Sequence, residues 1–469
     1  MIRFIPSLDT HSVRYYFAAL LQLLAVVLAP PLLVSLLARD FLYAAIFAAL
    51  ILLVFSLGFL GRRGPTPALA LREALVVTAL AYLTFALVGT VPFLPLASFW
   101  DGFFESMSGF TTTGLSVLEL SALPSSLLFF RAYSQWVGGA GIIILSLAVL
   151  IGPGRAAFRL YASEFGEEHL VGNVVATARV VVAVYGILTV LAFAAFVAAG
   201  MSAFDGLLHA LATISTGGFS PRAESIGAYD SELVAGAVTL FMLLGAVSFP
   251  LYYFAWRYGW RRFVGDIQVR YLVVLVGTAT LLLFALARGD LAALSSTLFH
   301  LASAISTTGF TVSDPAAWPA ATTLLVIGLM VIGGSAGSTA GGIKLFRLAV
   351  LGRVASWSVL RTLLPEEATL SVKVDGEAVN DLEIRQTVSL FGIYLVTAFV
   401  SALLLVMAGF SIQEGLFESV SALSTVGLSI GVTSPELPVW AKLTLCLTMW
   451  AGRLEILPIL VLLHPGNWR

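Results

Sequence analysis

Charge is scarce in this chain: 11% of its 469 residues are Asp, Glu, Lys or Arg, while 59% are hydrophobic. An ordinary soluble domain carries about 25% charge and 45–50% apolar residues. So little polar surface cannot cover the rest in water, which excludes a soluble globular protein and implies an integral membrane one. The net charge of −1 excludes the basic field that nucleic acid requires. A single cysteine, Cys446, excludes a disulfide within the chain and a cysteine-built zinc cluster. The five histidines, His11, His169, His209, His300 and His464, are scattered, which argues against a histidine metal site. The first apolar stretch has no small-residue cleavage pattern ahead of a soluble domain and is followed by more of its kind, so it is expected to be a retained span and not a signal peptide.

What the chain does have is long apolar runs. A spanning helix needs about 20 largely apolar residues, and ten segments qualify, at about 15–37, 41–61, 71–95, 123–152, 171–200, 232–256, 270–287, 319–351, 386–409 and 437–463. Between alternate members of the last eight lie four segments too short and polar to span. Such backbone survives at membrane depth only where it lines a water-filled path or is buried in protein, so these four are re-entrant candidates. The expected fold is an all-α integral membrane protein: four helix, re-entrant pore loop, helix repeats around one pseudo-fourfold pore, preceded by two extra transmembrane helices. The corresponding divisions are 1–66 for the extra helices, 67–155 for the first repeat, 165–262 for the second and 266–355 for the third, with a broken second helix. A cytoplasmic connector follows at 356–385, and the fourth repeat at 386–469. Within the connector, Asp375-Gly376 between two short strand-like runs predicts a hairpin, as a solvated link or a docking surface.

Lys and Arg accumulate on the cytoplasmic side of membrane proteins. With the amino terminus inside, nineteen of the twenty-five basic residues fall on that side and six (Arg39, Arg131, Arg222, Arg288, Lys442 and Arg453) do not. Both termini are therefore expected to be cytoplasmic, with the re-entrant segments opening outward.

The four segments align without gaps. Each has Glu105, His209, His300 or Glu418, then a run of small and apolar residues, then Thr-x-Gly: Thr112-Thr113-Gly114, Thr216-Gly217-Gly218, Thr307-Thr308-Gly309 and Thr425-Val426-Gly427. A dehydrated cation needs its water oxygens replaced, and carbonyls from four loops can do so. Turning successive carbonyls toward one axis forces positive φ, which glycine adopts without strain. A lone Thr-x-Gly is merely a helix end; four in register make a filter, and the fourth copy approaches the Thr-Val-Gly-Tyr-Gly filter of potassium channels. Glu105 and Glu418, nine residues before their glycines, are expected to support the filter and not to bind ions. Asp101, Asp205 and Glu414 either attract cations or, more simply, cap the short helices.

With Ser108-Gly109-Phe110-Thr111-Thr112-Thr113-Gly114, Ser215-Thr216-Gly217-Gly218-Phe219-Ser220, the run Gly333 to Lys344 and Gly452-Arg453-Leu454-Glu455-Ile456, the chain resembles the Trk/Ktr/HKT superfamily of potassium transporters, most closely its bacterial Trk-type membrane subunit. The likeness spans the whole chain, including the extra amino-terminal pair of helices. The fourth loop departs by having Thr425 where Trk-type members often have Asn. The resemblance implies potassium uptake through a gated, potassium-selective, channel-like pore in the cell membrane, with no cofactor in this chain and potassium ion as bound substrate. It also implies a homodimer and a cytoplasmic nucleotide-binding regulatory subunit. A sodium-coupled or sodium-permeable member is the alternative, and an intramembrane enzyme a distant one, since the polar candidates repeat fourfold as a ring would and an asymmetric catalytic site would not.

Five glycines in ten residues interrupt the eighth span: Gly333, Gly334, Ser335, Ala336, Gly337, Ser338, Thr339, Ala340, Gly341 and Gly342. Each interior glycine costs about 1 kcal/mol of helix stability relative to alanine, so a break is expected there. It reads as a gate under the filter, which the family's intramembrane gating loop matches; small-residue helix packing is the bland alternative. A phosphate-binding loop fails because Ile343 precedes Lys344 where the lysine itself is required. Arg453, a charge inside the last span, is read as a pore-facing barrier to cations or a paired structural arginine, with its partner on another segment because Glu455 is two positions away on the presumed helix.

Overall fold

The structure is a computed structural model and describes residues 8–150, 174–286, 294–365 and 371–467. Arg3, Arg155, Arg159, His169, Arg288 and Arg469 lie outside the described residues, as do parts of the 67–155 and 165–262 divisions. Helices α1 (Thr10–Val27), α2 (Ala29–Leu37) and α3 (Phe41–Gly61) come first. The order helix, short helix, helix then recurs four times. It begins with α4 (Leu71–Thr90), α5 (Phe99–Phe110) and α6 (Ser125–Leu150), continues with α7 (Val174–Ala198), α8 (Ala203–Ile214), α9 (Glu232–Gly245) and α10 (Phe249–Tyr258), and after the short α11 (Arg261–Gly265) resumes with α12 (Ile267–Leu286) and α13 (Leu294–Ile305). Next come α14 (Ala320–Ile332) and α15 (Leu345–Leu363), then the antiparallel hairpin β1 (Lys373–Val374) and β2 (Glu377–Ala378). The chain ends with α16 (Asp381–Met407), α17 (Ile412–Leu423), α18 (Val439–Arg453) and α19 (Leu457–Leu463). The hairpin turns at Asp375 and Gly376, both with positive φ, as a two-residue Asp-Gly loop demands.

Among the described residues six spans are long and apolar enough to cross a bilayer, eight if two bent pairs each count as one. The bends correct the sequence expectation. The span expected at 232–256 turns by 89° between α9 and α10, and the one at 437–463 by 111° between α18 and α19. Pro250 and Pro458 stand in the first turn of α10 and α19. Proline removes a donor and clashes with the preceding turn, so a helix cannot run through it unbroken. The broken second helix expected of the third repeat alone is thus found in the second and fourth as well.

Solvation is inverted relative to a water-soluble fold. Leu52, Phe55, Leu281, Phe399 and Met407 are exposed on the long helices, whereas Ser108, Thr112, Ser215, Thr307, Ser421 and Ser424 are fully or almost fully buried. Apolar surface faces outward where lipid would be, and hydroxyls and loop backbone gather inside. The outer helices press closely on the short ones. A methyl group at Gly138 would lie 2.0 Å from Phe110 O, and one at Gly452 would lie 1.9 Å from Leu423 O. Both carbonyls are the last of a short helix. Gly138→Ala should therefore lower the thermal midpoint of the detergent-solubilised protein, by an overpacking cost of about 2 kcal/mol; an unchanged midpoint on scanning fluorimetry would show that α6 can move away from α5.

Candidate ion pathway

Three of the four short helices, α5, α8 and α17, start on a serine. The Ser98, Ser202 and Ser411 hydroxyls accept from Asp101 N, Asp205 N and Glu414 N at 3.1–3.2 Å. The serines are thus the caps, and the acids expected in that role stand at the third helical position. Glu414 completes a reciprocal box by accepting from Ser411 N at 2.7 Å, and these Ser411 bonds hold its carboxyl below the usual range. Asp101 instead pairs with Lys442 at 2.5 Å, and Asp205 with Arg222 at 2.6 Å.

All four short helices end alike. Thr112, Thr216, Thr307 and Thr425 have φ of 50–55°, and two residues later Gly114, Gly218, Gly309 and Gly427 have φ of 77–93°. A left-handed threonine is strained by about 1–3 kcal/mol, and the surroundings hold four of them. Between each pair, the amide of Thr113, Gly217, Thr308 or Val426 donates five residues back, to Ser108 O, Ala212 O, Ser303 O or Ser421 O, at 2.7–3.0 Å. This leaves the carbonyls of the same residues free of the helix, and they cross to the neighbouring loop. A methyl at Gly114 would meet Gly217 O at 2.3 Å, one at Gly218 Thr308 O at 1.9 Å, one at Gly309 Val426 O at 1.9 Å, and one at Gly427 Thr113 O at 2.1 Å. The contacts run first loop to second, second to third, third to fourth and fourth to first, closing one ring. The twelve residues of the four Thr-x-Gly triplets are therefore brought together.

Behind the ring, the residue nine before each glycine ties down the chain after it. Glu105 accepts from Ser116 Oγ at 3.0 Å and pairs with the buried Arg131 at 2.5 Å. His209 Nε2 accepts from Ser220 Oγ at 3.0 Å, and His300 Nε2 from Val312 N at 3.2 Å. Glu418 accepts from Thr433 N at 3.1 Å. Each of these side chains is thus engaged in holding the segment that follows its loop.

At the threonine end of the ring lies the glycine run, folded as a loop between α14 and α15. Gly333, Gly337 and Gly342 adopt positive φ, which explains the break better than packing does, since only glycine takes such angles freely. Gly341 N donates to Thr307 Oγ1 at 2.8 Å, and Thr339 Oγ1 to Ile214 O at 2.9 Å. A methyl at Gly341 would lie 2.4 Å from Thr425 Oγ1. Ser335 N donates to Ala246 O at 2.8 Å, Ala336 N to Gln268 Oε1 at 2.7 Å, and Gly337 O accepts from Phe249 N at 3.1 Å. Ala340 and Ser338 are buried, and Gly334 is packed against Ala246 and Ala340.

Arg453 is not in the middle of a helix but at the end of α18. Its Nη1 donates to Thr339 O at 2.9 Å and its Nη2 to Gly138 O at 2.8 Å, so its partners are backbone carbonyls on other segments. Glu455, expected elsewhere on a continuing helix, is in a turn with φ of 56° and pairs with the residues that follow the glycine run: Lys344 lies 3.1 Å and Arg347 2.5 Å from its carboxylate. Sequence reasoning put Glu455 on a continuing helix and gave Arg347 and Gln268 no part in the site; Pro458, just beyond Glu455, was the signal that the helix had ended.

A bundle of apolar helices enclosing four short helices and a ring of loop carbonyls defines a multi-pass, all-α membrane protein of pore-loop architecture. Residues 43–467 match the family model TrkH, described as cation transport protein, and the chain belongs to that family. The Trk system potassium uptake protein TrkH of Halomonas elongata is 32% identical, over 96% of this chain and 97% of that protein. A cation transporter of Methanocaldococcus jannaschii is 29% identical, over 97% of this chain and 95% of its own. The crystal structure of the potassium transporter TrkH from Vibrio parahaemolyticus matches with a TM-score of 0.87 at 30% identity, covering 98% of this chain and 100% of that one.

Removing one member of a buried ion pair leaves the other uncompensated, at about 3–5 kcal/mol. Glu105→Ala should therefore sharply reduce the folded yield, with Arg131→Met in the same chain restoring part of it; size-exclusion profiles that do not distinguish the three proteins would refute a structural role for Glu105.

Proposed function

We propose that this protein is a potassium-uptake transporter whose four-loop ring is a cation filter and whose Gly333–Gly342 loop is its gate. The observation that carries the reading is the closed sequence of carbonyls, Thr113 O, Gly217 O, Thr308 O and Val426 O, each lodged against the glycine of the loop before it. Carbonyl oxygens can replace an ion's hydration shell, and the short helices direct their partially negative carboxyl ends toward the same place. The potassium-uptake name of the Halomonas relative and the Vibrio structure support potassium as the transported ion. Glycine in all four loops favours potassium over a sodium-selective variant. Potassium here is cargo, and the reading assigns the chain no cofactor and no enzymatic step.

The same reading places the protein in the cell membrane with both termini cytoplasmic, as a homodimer that works with a nucleotide-binding regulatory subunit. The closed loop gives such a partner a task. Its bonds to Ala246, Gln268, Phe249, Ile214, Thr307 and Arg453, at about 1 kcal/mol each, favour the closed arrangement by several kcal/mol. A partner opens the gate only by binding the open form that much more tightly.

Rubidium and sodium uptake into liposomes holding the purified protein tests the filter. The wild type should pass potassium and rubidium well ahead of sodium, and Gly114→Ser, which adds an atom where Gly217 O already lies, should reduce that preference at least several-fold. Equal ratios for the two proteins would count against the filter. Deleting Ser335 to Ala340 should raise flux in the absence of any partner, and flux no greater than wild type would remove the gate from the proposal.

A further inference from the structure

We propose that Gln135 is a specificity-determining positioning residue of the ring, holding the second loop in place of a support that the other three loops build for themselves; this rests on reading the ring as a cation filter. Three loops carry a serine six residues before the ring glycine. Ser108 Oγ accepts from Gly114 N at 3.0 Å, Ser421 Oγ accepts from Gly427 N at 3.1 Å, and Ser303 Oγ donates to Phe310 O at 2.8 Å. In the second loop that position is Ala212, which has no hydroxyl to give.

Gln135, on α6 of the first unit, reaches across instead. Its Nε2 donates to Gly217 O at 2.6 Å and its Oε1 accepts from Phe219 N at 3.0 Å, so one amide clamps both sides of Gly218. The clamp explains why the second triplet has glycine at its centre where the others have Thr113, Thr308 and Val426: a Cβ on residue 217 would lie 2.4 Å from Gln135 Cδ. A third departure belongs with these two. Aligned on Gly138, Gly245, Gly333 and Gly452, Gln135 falls in register with Met242, Met330 and Met449. Those methionines are buried in the apolar clusters that hold Phe310, Val426 and Leu115 respectively. Three exceptions to the fourfold pattern therefore meet at one place and complement one another. A buried amide in an otherwise apolar slot is costly unless both its ends are bonded, and here both are.

The bonded carbonyl is Gly217 O, the one that lies against Gly114 in the ring. One of the four ring oxygens is thus fixed from behind and shares its lone pairs with an amide N–H, which sets both the position and the field strength of that oxygen. Those are the quantities on which discrimination between potassium and sodium depends.

The test uses the full-length protein in liposomes, with potassium and sodium permeabilities read as a ratio. Two variants are compared with wild type: Gln135→Met, and the triple change Gln135→Met, Ala212→Ser, Gly217→Thr, which gives the second loop the set found at the first and third. The single variant should lower the ratio about fivefold, the worth of roughly one net hydrogen bond, and the triple should recover to within about twofold of wild type. An unaltered ratio in the single variant overturns the proposal, as does a triple variant no better than the single. If Gln135→Met does not fold, a folded triple with a wild-type ratio supports the proposal, and a triple that also fails to fold, or folds without discrimination, overturns it. Wild-type protein that does not prefer potassium would instead refute the filter reading itself, a different result from a wild-type preference that Gln135→Met leaves intact.

Discussion

The contact on which the molecule turns is a carbonyl oxygen seated against the glycine of the preceding loop. At Gly114, Gly218, Gly309 and Gly427 the neighbour's oxygen stands about where a side chain would begin, so each glycine is required twice, once by its own positive φ and once by the loop beside it. Because the contacts close on themselves, no loop can be shaped independently. The four left-handed threonines before them store strain of about 1–3 kcal/mol apiece, which only a surrounding structure that over-determines the turns can sustain. The capped short helices, the ties from Glu105, His209, His300 and Glu418, and the glycine faces of the outer helices all serve that end.

Features that recur were legible in the sequence, because a repeat carries its own control. Four Thr-x-Gly triplets in register pointed to one ring, and the density of glycine from Gly333 to Gly342 pointed to a break. Features that occur once or twice were harder to read. Pro250 and Pro458 sit inside long apolar runs, and hydropathy outweighed the missing donor that splits those spans. The caps were assigned to Asp101, Asp205 and Glu414 because their charge is conspicuous, while the serines three residues earlier, Ser98, Ser202 and Ser411, make the bonds to the helix amides. Gln135 gave no signal at all until the loops were placed, since its meaning lies in a serine absent from a different repeat.

Charge is distributed as membrane depth requires. Around the loops, Glu105 is matched by Arg131, Asp101 by Lys442, Asp205 by Arg222, and Glu455 by Lys344 and Arg347. Arg453 differs: the partners of its guanidinium are the carbonyls of Thr339 and Gly138. Its guanidinium is therefore bonded to carbonyl dipoles and makes no close ion pair among the described residues, and it sits on the glycine loop beside the threonine end of the ring. On the proposed reading of the ring as a filter and the glycine loop as its gate, a cation arriving from the ring would meet like charge in a poorly screening environment, which would make the barrier electrostatic as well as steric.

If the glycine loop is the gate proposed above, this arrangement also limits how it can open. Thr339 is held from two sides, by its hydroxyl to Ile214 O at the end of α8 and by its carbonyl to Arg453. If the loop withdrew alone, Arg453 would lose one of its two carbonyl partners and remain buried with its charge less well satisfied, a costly state inside a membrane. The cost falls if the end of α18 moves together with the loop, and Glu455 provides the linkage, since it follows Arg453 by two residues and binds Lys344 and Arg347 at the start of α15. The bend after α18 and the glycine loop are thus linked through one carboxylate and one guanidinium, and the proposed gating would therefore favour a joint displacement of the third and fourth units over a motion of the loop by itself.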